Sequence, residues 1–389
     1  MKLYSPALIT SKGKITNGHG ANLVWCDVLG RRQKQIGGSV EYFFPSWNHQ
    51  GKRNGKIGQT IESKLEIIEK ELSEQLSLFG IDAHREYRDN SQESRKNSQK
   101  YFTILKERNF IEQEGYQYFL DIRRIVERTN FSKILEEIKF AQGIQIKRRL
   151  SDLVHTVNGM YPISKPREFA TDIPEGKGRN SQKINPIFDL AVSPLIFSEE
   201  SVDYSVDGSR TLFHGTFLPL VIWAGLSNKP FSKNISIHGY AVGDSKMDVN
   251  EFYRNIDADI LNSDVMRYCA IQSTESFKDT EVNLDNIKGA KKLLYRTLNL
   301  SKHILKHYGV QKRDEKGDEN LIELIDNMNH PKVIRNFESE TFAISRDAHH
   351  KGKVSKNNIT RFLRNINVIK SVFPTTIRRV EEIIYYGKQ

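Results

Sequence analysis

The chain has 389 residues, 38% of them hydrophobic, and carries 59 Lys and Arg against 48 Asp and Glu for a formal net charge of +11. That is the composition of a soluble globular protein with room for two or three domains, and its charge tilts partner choice toward polyanions. Two cysteines, Cys26 and Cys269, without a C-x-x-C pair argue against a disulfide framework or a thiolate zinc site, and no apolar run approaches a membrane span or signal-peptide core, so the chain reads as cytoplasmic.

Ala7 to Thr10 is a short apolar run suited to a buried strand. The stretch S-K-G-K-I-T-N-G-H-G follows, and beyond it Ala21, Val24, Trp25 and Val28 recur at helical spacing. Strand, glycine turn and helix start make a phosphate-binding layout. Gly13 and Gly18 permit tight backbone geometry, while Thr16, Asn17 and His19 fall where free helix N–H groups and the positive dipole end attract an anion. Val40 to Pro45 predicts a second strand and hence a β-α-β unit with a parallel sheet. Its carboxyl end opens into the polar loop Ser46 to Lys56, on the side where open α/β sheets place ligands. The G-K-R-N-G-K run in that loop lacks P-loop spacing.

Ile61, Leu65, Ile68, Leu72 and Leu76 predict an amphipathic helix over Thr60 to Phe79, stopped by Gly80. Ile81 to Arg95 reads as a loop, Ser98 to Arg108 and Tyr116 to Ile138 as helices linked by Asn109 to Gly115, and Lys139 to Met160 as a basic helical continuation. Pro162 to Lys183 is rich in Pro, Gly and Lys and reads as irregular. Ile187 to Leu190 and Ile235 to Ile237 read as short buried strands flanking a helical Leu212 to Gly225, the other half of a doubly wound sheet. Gly239 to Asn250 is a loop on its ligand side. Beyond Glu251 the strand signals fade, and helices are expected over Leu284 to Tyr308, Ile359 to Ile369 and after Pro374, with Gln311 to Glu319 as a charged loop.

In order and spacing these landmarks resemble the class I aminoacyl-tRNA synthetases, in particular the group that charges methionine, leucine, isoleucine and valine. T-N-G-H, Thr16 to His19, looks like the HIGH signature, with Gly13 three residues ahead. S-W-N-H-Q-G, Ser46 to Gly51, is similar to G-W-D-x-H-G, with Asn48 where an aspartate holds the substrate ammonium. L-F-G-I-D-A-H-R-E-Y-R from Leu78 and I-S-K-P-R-E-F-A-T-D-I-P from Ile163 resemble two further runs of the group. I-F-D, Ile187 to Asp189, is like its W-F-D strand, D-G-S-R-T-L-F-H from Asp207 like G-x-D-I-x-x-F-H, and I-H-G-Y from Ile237 like the H-G-F strand beside adenine. K-M-D-V-N, Lys246 to Asn250, stands where KMSKS is expected, and D-V-M-R-Y, Asp264 to Tyr268, resembles A-D-x-L-R-Y.

The resemblance implies a Rossmann-like, HIGH-type catalytic domain with a doubly wound parallel sheet over 1–263, holding a helical connective segment at about 98–160. A small all-α bundle over 264–389, like a truncated anticodon-binding domain, would follow. It implies ATP-dependent activation of an amino acid or analogue as an acyl adenylate, with transfer to tRNA or another acceptor. Thr16, His19 and Lys246 would be catalytic. Gly13, Gly18, Gly208, Arg210, His238, Gly239, Lys246 and Met247 would hold ATP, and Trp47, Asn48 and His214 the second substrate. Mg²⁺ is expected with ATP, with no metal site of the protein's own. tRNA is an expected partner through the basic surface, and no editing insertion is present. Asn48, Val249 and Arg210 differ from the family's ligand-contacting residues, which leaves open the alternative of a degenerate paralogue that binds tRNA or a protein without catalysis.

Overall fold

In a computed structural model of the protein, the described residues are 1–6, 17–46, 74, 76–81, 85–88, 92–141, 144–156, 159–166, 171–174, 182–198, 200–239, 241–242, 261–272, 280–281, 284–313 and 316–388. They fall in two compact units. The first takes Met1–Ile15, Val40–Leu72 and Ala83–His238, and the second Thr16–Ser39, Ser73–Asp82 and Gly239–Gln389. In chain order the elements begin β1 (Lys2–Tyr4), α1 (Asn17–Gln35), β2 (Glu41–Ser46), β3 (Arg85–Arg88), α2 (Gln92–Glu107), β4 (Ile111–Glu114), β5 (Gln117–Asp121), α3 (Ile122–Arg128) and α4 (Phe131–Glu136). They continue with β6 (Lys139–Phe140), α5 (Ile144–Thr156), β7 (Met160–Pro162), β8 (Ser164–Pro166), β9 (Gln182–Ile184), α6 (Pro186–Phe197), β10 (Val202–Gly208), α7 (Leu218–Ser227) and β11 (Ser232–His238). The rest are β12 (Ala241–Val242), α8 (Asn262–Gln272), β13 (Thr280–Glu281), α9 (Leu284–Tyr308), α10 (Glu319–Asp326), α11 (His330–Lys351), α12 (Lys356–Ile369) and α13 (Pro374–Tyr386).

The first unit is organised by a six-stranded sheet in the order β3-β2-β1-β10-β11-β6, and every neighbouring pair is parallel. The order runs outward in both directions from β1, which lies between β2 and β10, so the topological switch falls at β1 and β10. Aromatic rings fill the layer against β1: Tyr4 stacks on Phe43 at 5.9 Å and meets Phe231 edge-on at 5.9 Å, and Phe43 stacks on Phe197 of α6 at 4.6 Å.

Several expectations are corrected. Arg85–Arg88, read as loop, is the edge strand β3 paired to β2, and α2 begins at Gln92, inside the same stretch. A polar R-E-Y-R segment gives no alternation to betray a strand at a sheet edge. The segment 98–160 is mixed rather than helical. Residues 109–115 and the start of 116–138 form the hairpin β4-β5, whose turn uses Gly115 at φ 59°, and β7 adds a third antiparallel strand. Within 139–160, β6 and β7 bracket α5. In the stretch read as irregular, β8 and β9 pair antiparallel. Ile187 to Leu190, read as a strand, lies in α6: Asn185 accepts from the Ile187 amide at 3.3 Å as N-cap and Pro186 opens the first turn. The strand expected over Ala7 to Thr10 lies outside the described residues, as does most of the helix expected over Thr60 to Phe79. The described first strand is β1, just ahead of that run.

The second unit is helical, and the D-V-M-R-Y motif on α8 ties it together. Asp264 and Arg267, three apart, share a helix face. Asp264 accepts from the Thr375 and Thr376 amides at 3.4 and 2.5 Å, satisfying the start of α13. Burial raises its carboxyl above the usual range. Arg267 is fully buried and donates to the Val372 and Ser371 carbonyls at 2.6 and 2.9 Å, to the Phe79 carbonyl at 3.1 Å, and to Asp27 Oδ2 on α1 at 2.6 Å. Arg31 Nε shares the same Asp27 oxygen at 2.6 Å. Removing Asp27 leaves a buried guanidinium without its counter-charge, which costs about 3–5 kcal/mol. Asp27→Ala is therefore expected to lower the urea midpoint by a loss of that size, and a loss under about 1 kcal/mol would contradict this role for the pair.

Candidate active site

Because the sheet is wholly parallel, the carboxyl ends of its strands share one edge, the edge at which open α/β sheets bind ligands. β10 ends at Gly208 and β11 at His238, and these two residues are register partners. The Ser209 amide donates to the His238 carbonyl at 2.9 Å, extending the pairing past the strand ends. Two residues assigned to the nucleotide site from separate motifs thus meet at one point. His238 is buried, Arg210 is exposed two residues after β10, and Gly239 follows β11.

The chain then turns through a π-helical stretch, Leu212–Phe217, that carries His214. The imidazole lies 5.1 Å from the Phe213 ring and 6.3 Å from the Tyr161 ring of β7. Burial, helped by the Lys165 ammonium, holds His214 below the usual imidazole range, so the ring is neutral near pH 7. Burial likewise pushes the Tyr161 phenol up to about 12, keeping it protonated. The rings offered there, Tyr161, Phe213 and His214, are neutral, with the Lys165 ammonium close enough to act on the imidazole.

Beneath this turn lies a group that the motifs did not single out. Asp207 is wholly buried, and its carboxylate accepts from the Gly208 amide at 2.7 Å, from Thr216 Oγ1 at 2.8 Å and from Thr211 Oγ1. The bonds favour the charged form, yet burial outweighs them and raises the carboxyl to about 6. Gly215 makes room for it: a Cβ there would stand 2.5 Å from Asp207 Oδ2 and 2.5 Å from Pro6 Cγ. One buried carboxyl therefore fixes both ends of the turn bearing Arg210 and His214. The local sequence held only a weak sign of this, two threonines four and nine residues after an aspartate.

In the second unit Gly18 and His19 lie in the first turn of α1. Gly13, Thr16, Trp47, Asn48, Lys246 and Met247 lie outside the described residues. Among the described residues no group of three or more His, Cys, Asp or Glu side chains could hold a metal ion. Cys26 and Cys269 are buried and form no disulfide with each other, and no described helix is long and apolar enough to cross a membrane.

The architecture of the chain, a Rossmann-like α/β unit with a helical region, is a fold found among aminoacyl-tRNA synthetases of known structure. Its fold matches the methionyl-tRNA synthetase of Mycobacterium tuberculosis bound by methionyl-adenylate, with TM-score 0.72 and 12% identity over 100% of this chain and 94% of that one. A further structure of the M. tuberculosis enzyme in complex with methionyl-adenylate gives 0.70 and 12% over 97% and 92%. In sequence, the methionine–tRNA ligases of two Leptospira biflexa strains are 34% identical over 113 residues, which is 28% of this chain and only 16% of theirs. No family model matches the sequence.

Asp207 provides a test by pH. The folded chain keeps this carboxyl protonated up to about pH 6, whereas in the unfolded chain it ionises above about pH 4. The folded state therefore binds the extra proton, and the stability it lends is full below about pH 4 and lost as pH rises through about 6. Asp207→Asn keeps the acceptor and removes the titration. Its melting temperature relative to wild type is expected to rise between pH 4 and 7, and two parallel curves would contradict the assignment.

Proposed function

We propose that the chain activates an amino acid with ATP as an acyl adenylate and passes the acyl group to tRNA or another acceptor. The observation that carries this reading is the whole-length likeness to synthetases that hold methionyl-adenylate, supported by the partial sequence match to methionine–tRNA ligases. Methionine is accordingly the first acid to try.

In this reading a carboxylate oxygen of the amino acid attacks the α-phosphorus of ATP in line and the bond to pyrophosphate breaks. The acyl carbon then passes to a hydroxyl or amine, and AMP leaves. Such chemistry rests on positioning and charge stabilisation more than on a dedicated base. By the family resemblance Thr16 and His19 bind the phosphates, and Lys246 neutralises the departing pyrophosphate. Gly208 and His238, paired at the strand ends, and Arg210 contact the nucleotide in this reading, and the family resemblance gives the same role to Gly13, Gly18, Gly239 and Met247. Mg²⁺ would arrive with ATP and offset the charge of its phosphates. The family resemblance assigns Trp47 and Asn48 to the amino acid, together with the neutral His214. With Asn48 an amide replaces a carboxylate, which weakens the hold on an ammonium and favours an altered or less charged substrate. The helical part from 264 on, with the chain's basic balance, serves tRNA in the cytoplasm.

Asn48, Val249 and the lack of an aspartate at Ser209 or Arg210 favour a second reading, a paralogue that binds tRNA or a protein without catalysis. Exchange of labelled pyrophosphate into ATP separates the two. The first reading predicts amino-acid-dependent exchange, reduced roughly a hundredfold by Lys246→Ala with an unchanged circular dichroism spectrum. An exchange rate at background with every acid in a full panel would support the second reading instead.

A further inference from the structure

We propose that the second unit carries a binding site for a small, multiply charged phosphate anion, at the last turn of α1 and the corner between α12 and α13. The site lies in a cavity of about 550 Å³, within the size range of small-molecule sites. Arg32 and Gln35 reach it from α1, Arg313 from the segment after α9, Asn367 and Lys370 from the end of α12, and Glu381 from α13.

Three features select the ligand. First, the described lining residues set three cations against one carboxylate. Glu381 engages Lys370 at 2.6 Å and Arg313 at 3.4 Å, which fixes both cations at the rim and leaves each with further N–H donors. Second, Arg32 Nε is buried with no hydrogen-bond partner among the described residues. A buried donor left unmade is costly, and an anion oxygen would satisfy it with a charge-assisted bond. Third, no aromatic ring is among the described residues that line the cavity, so these offer no stacking platform for a base, while the Gln35 and Asn367 amides add polar contacts. Fixed cations, an unsatisfied guanidinium donor and polar amides fit a polyphosphate-type anion.

The position gives such binding a consequence. Lys370 immediately precedes Ser371 and Val372, whose carbonyls receive the buried Arg267, and Arg267 also holds Asp27 on α1. An anion bridging Arg32 and Lys370 would tie α1 to the same corner from the solvent side and raise the stability of this unit by mass action. The site is independent of the adenylate chemistry and draws on none of the residues placed in it.

Isothermal titration of the full chain with inorganic tripolyphosphate tests the proposal. A saturable site is expected that is weakened at least about tenfold by Arg32→Gln and by Lys370→Gln, each with native circular dichroism. Arg313→Gln, whose side chain is 57% exposed and so tolerates replacement, is expected to weaken it as well. In Lys246→Ala this binding should persist within about twofold. Failure of wild type to bind, equal affinity in the three cavity variants, or loss in Lys246→Ala alone would each overturn the site, the last by placing the anion with the adenylate machinery. Because the readout is binding, absent pyrophosphate exchange leaves this result unaffected, and absent tripolyphosphate binding leaves the exchange result unaffected.

Discussion

A guanidinium cut off from water must find its acceptors within the protein, and Arg267 finds them on three separate segments of the second unit. Its four hydrogen bonds reach α1 through Asp27, the turn at Phe79, and the corner at Ser371 and Val372. Asp264, one helical turn earlier, satisfies the start of α13. Two residues of one motif therefore set where α1 stands against the helical corner. Since α1 is a continuous helix from Asn17 to Gln35, the turn holding Gly18 and His19 inherits that placement. An ion pair of this kind adds little net stability over a well-packed apolar substitute. What it contributes is a defined arrangement, because few other placements would supply the same acceptors.

The first unit solves a comparable problem with a carboxyl. A parallel sheet brings Gly208 and His238 together at its ligand edge, but a register alone does not hold the turn that follows. Asp207 does so by accepting from the backbone and from two threonines, in space that only a glycine at 215 leaves open. His214 is thereby presented within an aromatic cluster, neutral and partly withdrawn from water. Such a wall suits an uncharged side chain better than a charged one.

What could be read from the chain follows from what burial leaves in a sequence. The helices over Leu284–Tyr308, Lys356–Ile369 and Pro374–Tyr386 were legible because one face is buried and the other is wet. α6 was not, since a helix apolar all round has no period, and its Asn-Pro start carried the information that the Ile187 to Leu190 run concealed. β3 escaped because an edge strand of polar residues resembles a loop. Gly208 and His238, assigned to the nucleotide by motif likeness, are joined by the sheet. Asp207 was not reachable, because its meaning arises only when Thr216, Gly215 and Pro6 close around it. Thr16 and Lys246 remain assignments by likeness, outside the described residues.

Likeness over the whole fold and over 113 residues of sequence leads to adenylate formation as the central claim. Its chemistry has a signature that follows an atom. When methionine labelled with heavy oxygen in its carboxylate is incubated with ATP, Mg²⁺, the protein and an acceptor, the attacking oxygen stays on phosphorus as the acyl group departs. The mass spectrum of the AMP released should carry one heavy oxygen. AMP formed at an equal rate without the label would contradict the account, because the α-phosphate would then have been attacked by water and not by the amino acid.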